Sequence, residues 1–414
     1  VSLARRALMN NPFQTTPAGK VMFWDWIAPT VYQSRECLPP AIGQDASDPP
    51  VPPLVGTQQS AGEEDHLPRS GTNGLVGRRA EMRRLERMFQ DHPVVLLTGT
   101  TGAGKTELGL GFARWCQQTG ARAAGVFYSS FEVGAGLERV VHETGTAVAG
   151  LEFAGMGFQQ QRQWLSQYLQ ENPALLIWDT LERAAGFPEG APGLLDESEQ
   201  AALDAFLLEV TQGGESWVLL ISRRHEESWL STPHLIHELK GLAKRDRLDL
   251  SARLLDTLDV AAGHLGPEYL DLLDLLKGHP LAMQIAIPLL KEVPASVLLQ
   301  EVPTRINDLP PDALEEGRDP LLTALMEYSF SRMSRRSRTH LPFLSLFQRR
   351  VMMDVLSHIT QERVYRTVMG EELGWGACRT LLRSAREAGY LEPVTPSVYQ
   401  IHPAFPWFYG RMMY

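Results

Sequence analysis

Short runs of apolar residues recur through the middle of the chain, and longer amphipathic stretches separate them. A strand that is covered on both faces of a sheet is continuously apolar, so these runs predict buried β-strands. They cover residues 94–97, 123–131, 174–178, 217–221 and 235–239. The stretches between them have helical periodicity, with Leu85, Met88 and Phe89 on one face of the first. Alternating strands and helices predict a parallel sheet with helices on both faces.

Helical periodicity continues after this region without further long strands. The predicted helices cover 243–258, 266–276, 280–293, 321–334, 367–375 and 378–389. Residues 294–318 are rich in Pro and charge and predict a bridging segment. A short terminal hairpin is predicted at 390–394 and 398–402, and it has the size of a wing. We therefore expect an α/β domain at 75–240, a helical subdomain at 241–318 and a winged-helix domain at 319–414.

A glycine-rich loop joins the first strand to a helix. It contains Gly99-x-x-x-x-Gly104-Lys105-Thr106, directly after the apolar run and directly before the helical pattern ELGLGF. This strand–loop–helix context is the one in which the motif binds nucleotide phosphates. The glycines let backbone N–H groups turn toward phosphate oxygens, and the helix N-terminus adds its positive end.

The loop residues are therefore candidate ligands of ATP or ADP. Lys105 is placed for the β- and γ-phosphates, and the hydroxyl of Thr106 is placed for Mg²⁺. The remaining candidate nucleotide ligands in the loop are Gly99, Thr100, Gly102, Ala103 and Gly104.

An acidic residue ends the strand at 174–178. Ligands of open α/β sheets bind at the carboxyl ends of the strands, and Asp179 occupies that place. A carboxylate there holds Mg²⁺ directly or through water. Asp179 and Thr106 are therefore the candidate Mg²⁺ residues.

Five landmarks in a fixed order give residues 75–282 a resemblance to the STAND class of signalling NTPases, which are related to the NB-ARC proteins. They are the hhGR-like Leu75–Arg78, the P-loop, Asp179, the Ser222-Arg223-Arg224 run and Gly278-His279-Pro280. The resemblance implies that Val76 and Arg78 flank the adenine and ribose. It also implies that Arg223 senses the γ-phosphate, where a cation stabilises charge, and that Pro280 packs on the nucleotide.

Two positions depart from the family pattern. Relatives carry a second acid or an Asn after the Walker B Asp, whereas this chain has Thr180, so Glu182 is the candidate general base. With Lys105, Asp179 and Arg223, it completes the candidate catalytic set. The family also has a late His that contacts the ADP phosphate. Its nearest match is His402 in Tyr-Gln-Ile-His-Pro, which lacks the neighbouring Met and Asp of the family motif.

The N-terminal 74 residues have a different character. Residues 1–36 predict a helix followed by an aromatic, strand-like stretch, and W-x-x-P-x-V-Y-Q resembles the C-terminal end of a CHAT domain, a caspase-like protease fold. Residues 37–74 are rich in Pro, Gly and small polar residues and predict an extended, mobile linker. Because the chain starts at Val1, we expect an effector domain before it, and sensor repeats after Tyr414.

Composition and charge exclude several classes of protein. The hydrophobic share of 43% and charged share of 21% are those of a globular protein, and no apolar run reaches transmembrane length. The three cysteines, Cys37, Cys116 and Cys378, are widely spaced, which disfavours a disulfide framework, a zinc site and a cysteine protease within this chain. We expect a cytoplasmic protein with no membrane partner.

The resemblance implies a nucleotide switch. ADP would hold the nucleotide, helical and winged-helix domains closed, and exchange for ATP would open them and permit self-association. We expect slow ATP hydrolysis, because Thr180 stands where relatives carry a second acid. The expected role is activation of the attached effector in bacterial signalling or defence, after an unknown trigger reaches the sensor.

A DNA-binding transcriptional regulator with a regulatory ATPase is the alternative. Residues 320–414 contain 12 Arg against 7 Asp and Glu, a net charge of +5 by subtraction, and basic helices can meet phosphates. The candidate recognition helix at 378–389 has no Asn or Gln for base edges, and the whole chain carries a net charge of −10. We therefore expect no nucleic-acid partner. An AAA-like motor is disfavoured because GxP replaces an Arg-finger pattern.

Overall fold

The computed structural model describes two units, Val1–Glu63 and Glu64–Tyr414. The described residues are 13–16, 19–22, 67–68, 70–71, 74–132, 136–187, 195–258, 265–309, 319–347, 350–402 and 404–409. In the first unit, Phe13–Thr16 (β1) and Gly19–Met22 (β2) form an antiparallel hairpin. The other N-terminal predictions, including the W-x-x-P-x-V-Y-Q segment, lie outside the described residues.

The second unit contains a five-stranded parallel sheet, as predicted. Its strands are Val94–Thr98 (β3), Gly125–Ser130 (β4), Ala174–Asp179 (β5), Trp217–Ile221 (β6) and Leu235–Glu238 (β7). Their order across the sheet is β4-β5-β6-β3-β7. The strand before the glycine-rich loop is therefore central, with Val94 opposite Val218 on β6 and Val95 opposite Leu235 on β7. This order places the carboxyl ends of β3, β5 and β6 side by side.

Five of the described helices cover this sheet. They are Arg79–Asp91 (α1), Lys105–Thr119 (α2), Leu137–Ala154 (α3), Phe158–Glu171 (α4) and Glu197–Thr211 (α5). α5 begins after Asp196, where Asp196 and Glu199 form a reciprocal capping box. Trp178, Phe206 and Val218 belong to the core between the sheet and the helices α3, α4 and α5.

The helical subdomain contains four helices in the described residues. They are Lys244–Thr257 (α6), Glu268–Leu275 (α7), Pro280–Leu289 (α8) and Ala295–Asn307 (α9). The last one corrects the prediction of a bridging segment at 294–318. Leu298 and Val302 are buried four residues apart on one face of α9, although Pro303 lies inside the helix. Burial of that face outweighs the weak helical signal of the sequence.

A winged-helix domain follows, as predicted. Its elements are Pro320–Arg332 (α10), Arg335–His340 (α11), Arg350–Met352 (β8), Met353–Ile359 (α12), Arg363–Met369 (α13), Trp375–Glu387 (α14), Leu391–Thr395 (β9), Val398–Ile401 (β10) and Ala404–Tyr409 (α15). The predicted wing is the hairpin β9–β10, and the short strand β8 also pairs with β10. The helix predicted at 367–375 ends at Met369, because Gly370 adopts a left-handed conformation (φ 83°) that ends a helix.

The helical subdomain and the winged helix share one hydrophobic core. Leu272, Ile285, Leu325, Leu382 and Phe405 belong to a single cluster that extends from α6 to α15 and also includes Val76. The core of the sheet is a separate cluster. Among the described helices, none is long and apolar enough to cross a membrane.

The end of the predicted linker is bound to α2. Arg114 donates hydrogen bonds to the carbonyl of Pro68 and the hydroxyl of Ser70, both at 2.6 Å. The N–H of Gly71 donates to Glu107 at 2.8 Å. These residues depart from the predicted mobile linker because polar contacts hold them, and such contacts leave no apolar pattern in the sequence.

Candidate functional site

The glycine-rich loop adopts a conformation that requires its glycines. Gly99, Gly102 and Gly104 have φ values of 147°, 80° and 91°, which side-chain-bearing residues rarely adopt. At Gly102 a Cβ would lie only 2.6 Å from the Cβ of Leu281 on α8. The loop is therefore both tightly wound and closely covered by the helical subdomain.

Lys105 lies at the start of α2 and folds back into the loop. Its side-chain ammonium donates to the carbonyls of Gly99 at 2.7 Å and Thr100 at 3.0 Å. The residue is only 9% exposed, and burial lowers the pKa of its ammonium to about 8. Nearby Glu182 acts in the opposite direction and favours the charged form. The loop thus holds one cation where phosphate oxygens would replace the carbonyls as partners.

Thr106 and Asp179 meet at the carboxyl ends of β3 and β5. The Thr106 hydroxyl donates to Asp179 Oδ2 at 2.9 Å, and the Thr180 N–H donates to Oδ1 at 2.8 Å. Tyr128 on β4 also donates to Oδ2, at 2.8 Å. Burial raises the pKa of Asp179, while the Tyr128 and Thr106 hydrogen bonds lower it. Adjacent hydroxyl and carboxylate oxygens next to a phosphate-binding loop are the hard ligands that suit Mg²⁺.

The described residues offer no larger metal cluster. No group of three or more His, Cys, Asp or Glu that could hold a metal occurs among them. A Mg²⁺ ion at Thr106 and Asp179 would therefore take its remaining ligands from phosphate oxygens and water, as this ion usually does.

Glu182 and Arg223 form a buried ion pair beside the loop. Arg223 Nε lies 2.8 Å from Glu182 Oε1, and the backbone N–H of Arg223 donates to Oε2 at 3.3 Å. The side chains are 12% and 4% exposed. Both oxygens of the candidate general base are therefore engaged by the candidate sensor. Breaking this pair would require another partner for each charge.

The hhGR-like segment is tied to the loop by its arginine. The guanidinium of Arg78 donates to the carbonyl of Lys240 at 2.6 Å and to that of Ala103 at 2.8 Å, and it pairs with Glu81. Arg78 is fully enclosed, and Val76 is buried near it in the chain. The Arg78 side chain therefore clamps the loop to the end of β7 and is already bonded to protein.

The helical subdomain reaches the loop through the Gly-His-Pro run. Pro280 is the first residue of α8. A Cβ built on Gly104 would lie 3.8 Å from Cγ of the Pro280 ring, so ring and loop are close. His279 Nε2 lies 2.9 Å from the Thr101 carbonyl, while His279 Nδ1 accepts the Ala282 N–H. His279 must therefore carry its proton on Nε2. The buried Thr101 hydroxyl has no hydrogen-bond partner in the described part of the chain.

The winged helix contributes His402 at the end of β10. Burial lowers the pKa of His402 to about 3, and the nearby charges of His279 and Arg223 lower it further. Its Nδ1 accepts the Ala404 N–H at 3.2 Å, so the neutral ring carries its proton on Nε2. His402 is thus a neutral donor near residues from the other two domains.

The structure brings together most of the predicted site residues. Those around the loop are Gly99, Thr100, Gly102, Ala103, Gly104, Lys105, Thr106, Asp179, Glu182, Arg223, Pro280 and His402. Val76 and Arg78 adjoin the loop from its other side, and their contact with a base stays a prediction. Two residues next to the site were not predicted from the sequence. Tyr128 belongs to no motif, and His279 lies inside the Gly-His-Pro motif, in which the predicted ligand is Pro280.

Comparison with solved structures gives the fold. The match with a STAND protein that has a tetratricopeptide repeat sensor, from Pyrococcus horikoshii, covers 84% of this chain and 44% of the STAND chain. The identity is 15% and the TM-score is 0.50. This chain has a P-loop NTPase fold. No family model and no curated protein sequence matches it.

Two further structures resemble it less. The Walker-type ATPase of Pyrococcus abyssi matches 84% of this chain and 99% of its own at 14% identity, with a TM-score of 0.41. The match with the ORC2 protein of Aeropyrum pernix, in ADPNP and ADP complexes, covers 83% of this chain and 95% of the ORC2 chain. The identity is 13% and the TM-score is 0.36. The chain spans less than half the length of the STAND structure that it matches.

Proposed function

We propose that the chain is an ATP/ADP-dependent switch of the STAND class. One observation carries the proposal: residues from three segments converge on one glycine-rich loop. Lys105 and Arg223 come from the sheet domain, His279 from the helical subdomain and His402 from the winged helix. A phosphate bound at the loop would contact or face all three, so its presence would bias their packing.

Phosphate binding follows from the charges and donors at the loop. The ammonium of Lys105 would exchange two carbonyl oxygens for phosphate oxygens, and the N–H groups at the start of α2 would add to it. The adenine base would contact the backbone of the segment at Val76 and Arg78. The Arg78 guanidinium would not bind the base, because it is bonded to the carbonyls of Ala103 and Lys240.

Hydrolysis would be slow for a structural reason. Mg²⁺, held by Thr106 and Asp179, would neutralise charge on the phosphates. Glu182 would orient the attacking water, but in this structure its Oε1 is paired with the Arg223 side chain and its Oε2 accepts the Arg223 backbone N–H. The Arg223 side chain must therefore turn from Glu182 to the γ-phosphate before Oε1 is free. A switch benefits from such a delay, because its ATP state must persist.

The switch itself would act through His402. Its neutral ring can donate from Nε2 to the β-phosphate of ADP, which would hold the winged helix against the sheet domain. Exchange for ATP would release this contact, let the helical subdomain and winged helix open away from the sheet domain, and permit self-association. The attached partners would be an upstream effector, a CHAT protease by its sequence resemblance, and a downstream sensor, with a role in bacterial signalling or defence.

Lys105→Ala provides the first test. We predict that this variant loses adenine-nucleotide binding in calorimetry, because the loop then has no ammonium for the phosphates. Lys240→Ala is the control, since Lys240 is exposed and uses only its backbone carbonyl near the site. Equal ATP affinity in wild type and Lys105→Ala would show that the loop is not the nucleotide site.

The DNA-binding alternative has one structural observation in its favour. Arg379, Arg383 and Arg386 lie on one exposed side of α14, and no ion pair to them occurs among the described residues. Three unpaired arginines at this spacing could meet phosphates. A salt-dependent shift of a DNA duplex by the wild type, lost in an Arg383→Ala variant, would favour this alternative. Absence of a shift at low salt would exclude it.

A further inference from the structure

Tyr128 reaches the Mg²⁺ candidate site from a neighbouring strand. On β4, Ser130 stands opposite Asp179 of β5 in the strand register, and Tyr128 precedes Ser130 by two residues. Residues two apart on a strand share a face, so the Tyr128 ring lies diagonally across from Asp179. Its hydroxyl spans this diagonal and donates to Asp179 Oδ2 at 2.8 Å.

The Asp179 carboxylate is thereby fixed at both oxygens. Oδ2 accepts from Tyr128 and from Thr106, and Oδ1 accepts from the Thr180 N–H. Asp179 is only 3% exposed, so water offers it few alternative donors. Of these donors, Thr106 is itself a candidate metal ligand and Thr180 supplies a backbone group. The Tyr128 hydroxyl is therefore the side-chain donor to Asp179 that is not itself a candidate metal ligand.

We propose that Tyr128 is a positioning residue for Mg²⁺ binding. It would hold the Asp179 oxygens at a fixed spacing from Thr106, whether they meet the ion directly or through water. Groups that orient a metal ligand commonly contribute about 10–100-fold to metal affinity. This inference rests on the proposed function, because it concerns the ion that accompanies the bound nucleotide.

The test separates nucleotide binding from metal binding. ATP affinity is measured by calorimetry in EDTA, and Mg²⁺ is then titrated into the protein–ATP complex. Tyr128→Phe removes the hydroxyl and keeps the ring. We expect unchanged ATP affinity in EDTA and a Mg²⁺ midpoint raised about 10–100-fold. Tyr168→Phe is the matched control in the same domain, where the ring stacks on Trp164, and it should leave both quantities unchanged.

Two outcomes would overturn the proposal. The first is a wild-type Mg²⁺ midpoint in a folded Tyr128→Phe variant. If that variant does not fold, Tyr128→His, which keeps an N–H donor, is compared with Tyr128→Met, which has none. Equal Mg²⁺ midpoints in these two variants would be the second contrary outcome. Wild type that binds no ATP would instead remove the proposed function itself.

Discussion

At the scale of single residues, the site holds two histidines neutral. Burial lowers the pKa of both His279 and His402, and for His402 it falls to about 3. Near His279, Asp319 favours the protonated ring and Lys105 opposes it. Near His402, Arg223 opposes protonation. A ring kept neutral can donate from Nε2 without adding a second buried cation beside Arg223.

The depressed pKa values predict a pH dependence of stability. An unfolded histidine has a pKa near 6.5, so below that pH the unfolded chain takes up protons that the folded chain does not. Above about pH 6.5 the neutral rings do not lower the free energy of unfolding. As the pH falls from there toward the folded pKa, the free energy of unfolding decreases by up to about 1.4 kcal/mol per pH unit for each ring.

The measurement compares wild type with His402→Ala. We expect the unfolding free energy of wild type, without nucleotide, to decline more steeply between pH 7 and pH 5.5 than that of the variant. Using the difference removes the opposing effect of buried carboxylates such as Asp179, whose pKa is raised. Parallel pH profiles would show that His402 is not held neutral by the folded state.

Site residues that belong to a sequence motif could be predicted from the sequence. Site residues whose role depends only on a contact between distant parts of the chain could not. Lys105, Asp179 and Arg223 follow strands at the predicted edge, and strand order brings them together. Tyr128 has no such signal, because its contact depends on β4 lying next to β5 in one register. The pairing of Glu182 with Arg223 likewise depends on β5 and β6 being neighbours.

At the scale of elements, the contact between the loop and α8 is the critical one. Leu281 N–H donates to the Gly102 carbonyl at 3.4 Å, and the space above Gly102 has no room for a methyl group. We predict that Gly102→Ala separates α8 from the loop and lowers the melting temperature, since both the clash and the left-handed φ oppose a side chain. Each strained residue of this kind costs about 1–3 kcal/mol.

Gly157→Ala is the control for that substitution. Gly157 precedes α4 with a φ of −67°, and a Cβ there would meet no atom within 4 Å. It should leave the melting temperature unchanged or slightly raised, because alanine restricts the unfolded chain. Equal melting temperatures for Gly102→Ala and wild type would contradict the close packing of loop and α8.

Strands and strongly periodic helices could be predicted because their burial repeats along the chain. The exceptions have physical causes that act between elements or at single turns. α9 contains a proline and only two fully buried positions, so packing rather than pattern defines it. β8 is three residues long and exists through its pairing with β10.

At the scale of the whole second unit, the two hydrophobic cores indicate where movement would occur. The helical subdomain and winged helix share one core, and the sheet has its own. Opening between the first two would expose apolar surface, which costs about 25 cal/mol per Å². We therefore expect them to move together, away from the sheet, by breaking the contacts of His279 and Leu281 with the loop.

Sedimentation velocity with matched nucleotides tests the switch most directly. Wild type saturated with ADP should sediment as a compact monomer, and with Mg²⁺ and a non-hydrolysable ATP analogue it should form larger species. His402→Ala should associate even with ADP, because it lacks the ring that would hold the winged helix closed. His358→Ala, at an exposed histidine of α12, should behave as wild type. An identical monomer with both nucleotides, each shown by calorimetry to be bound, would contradict the account.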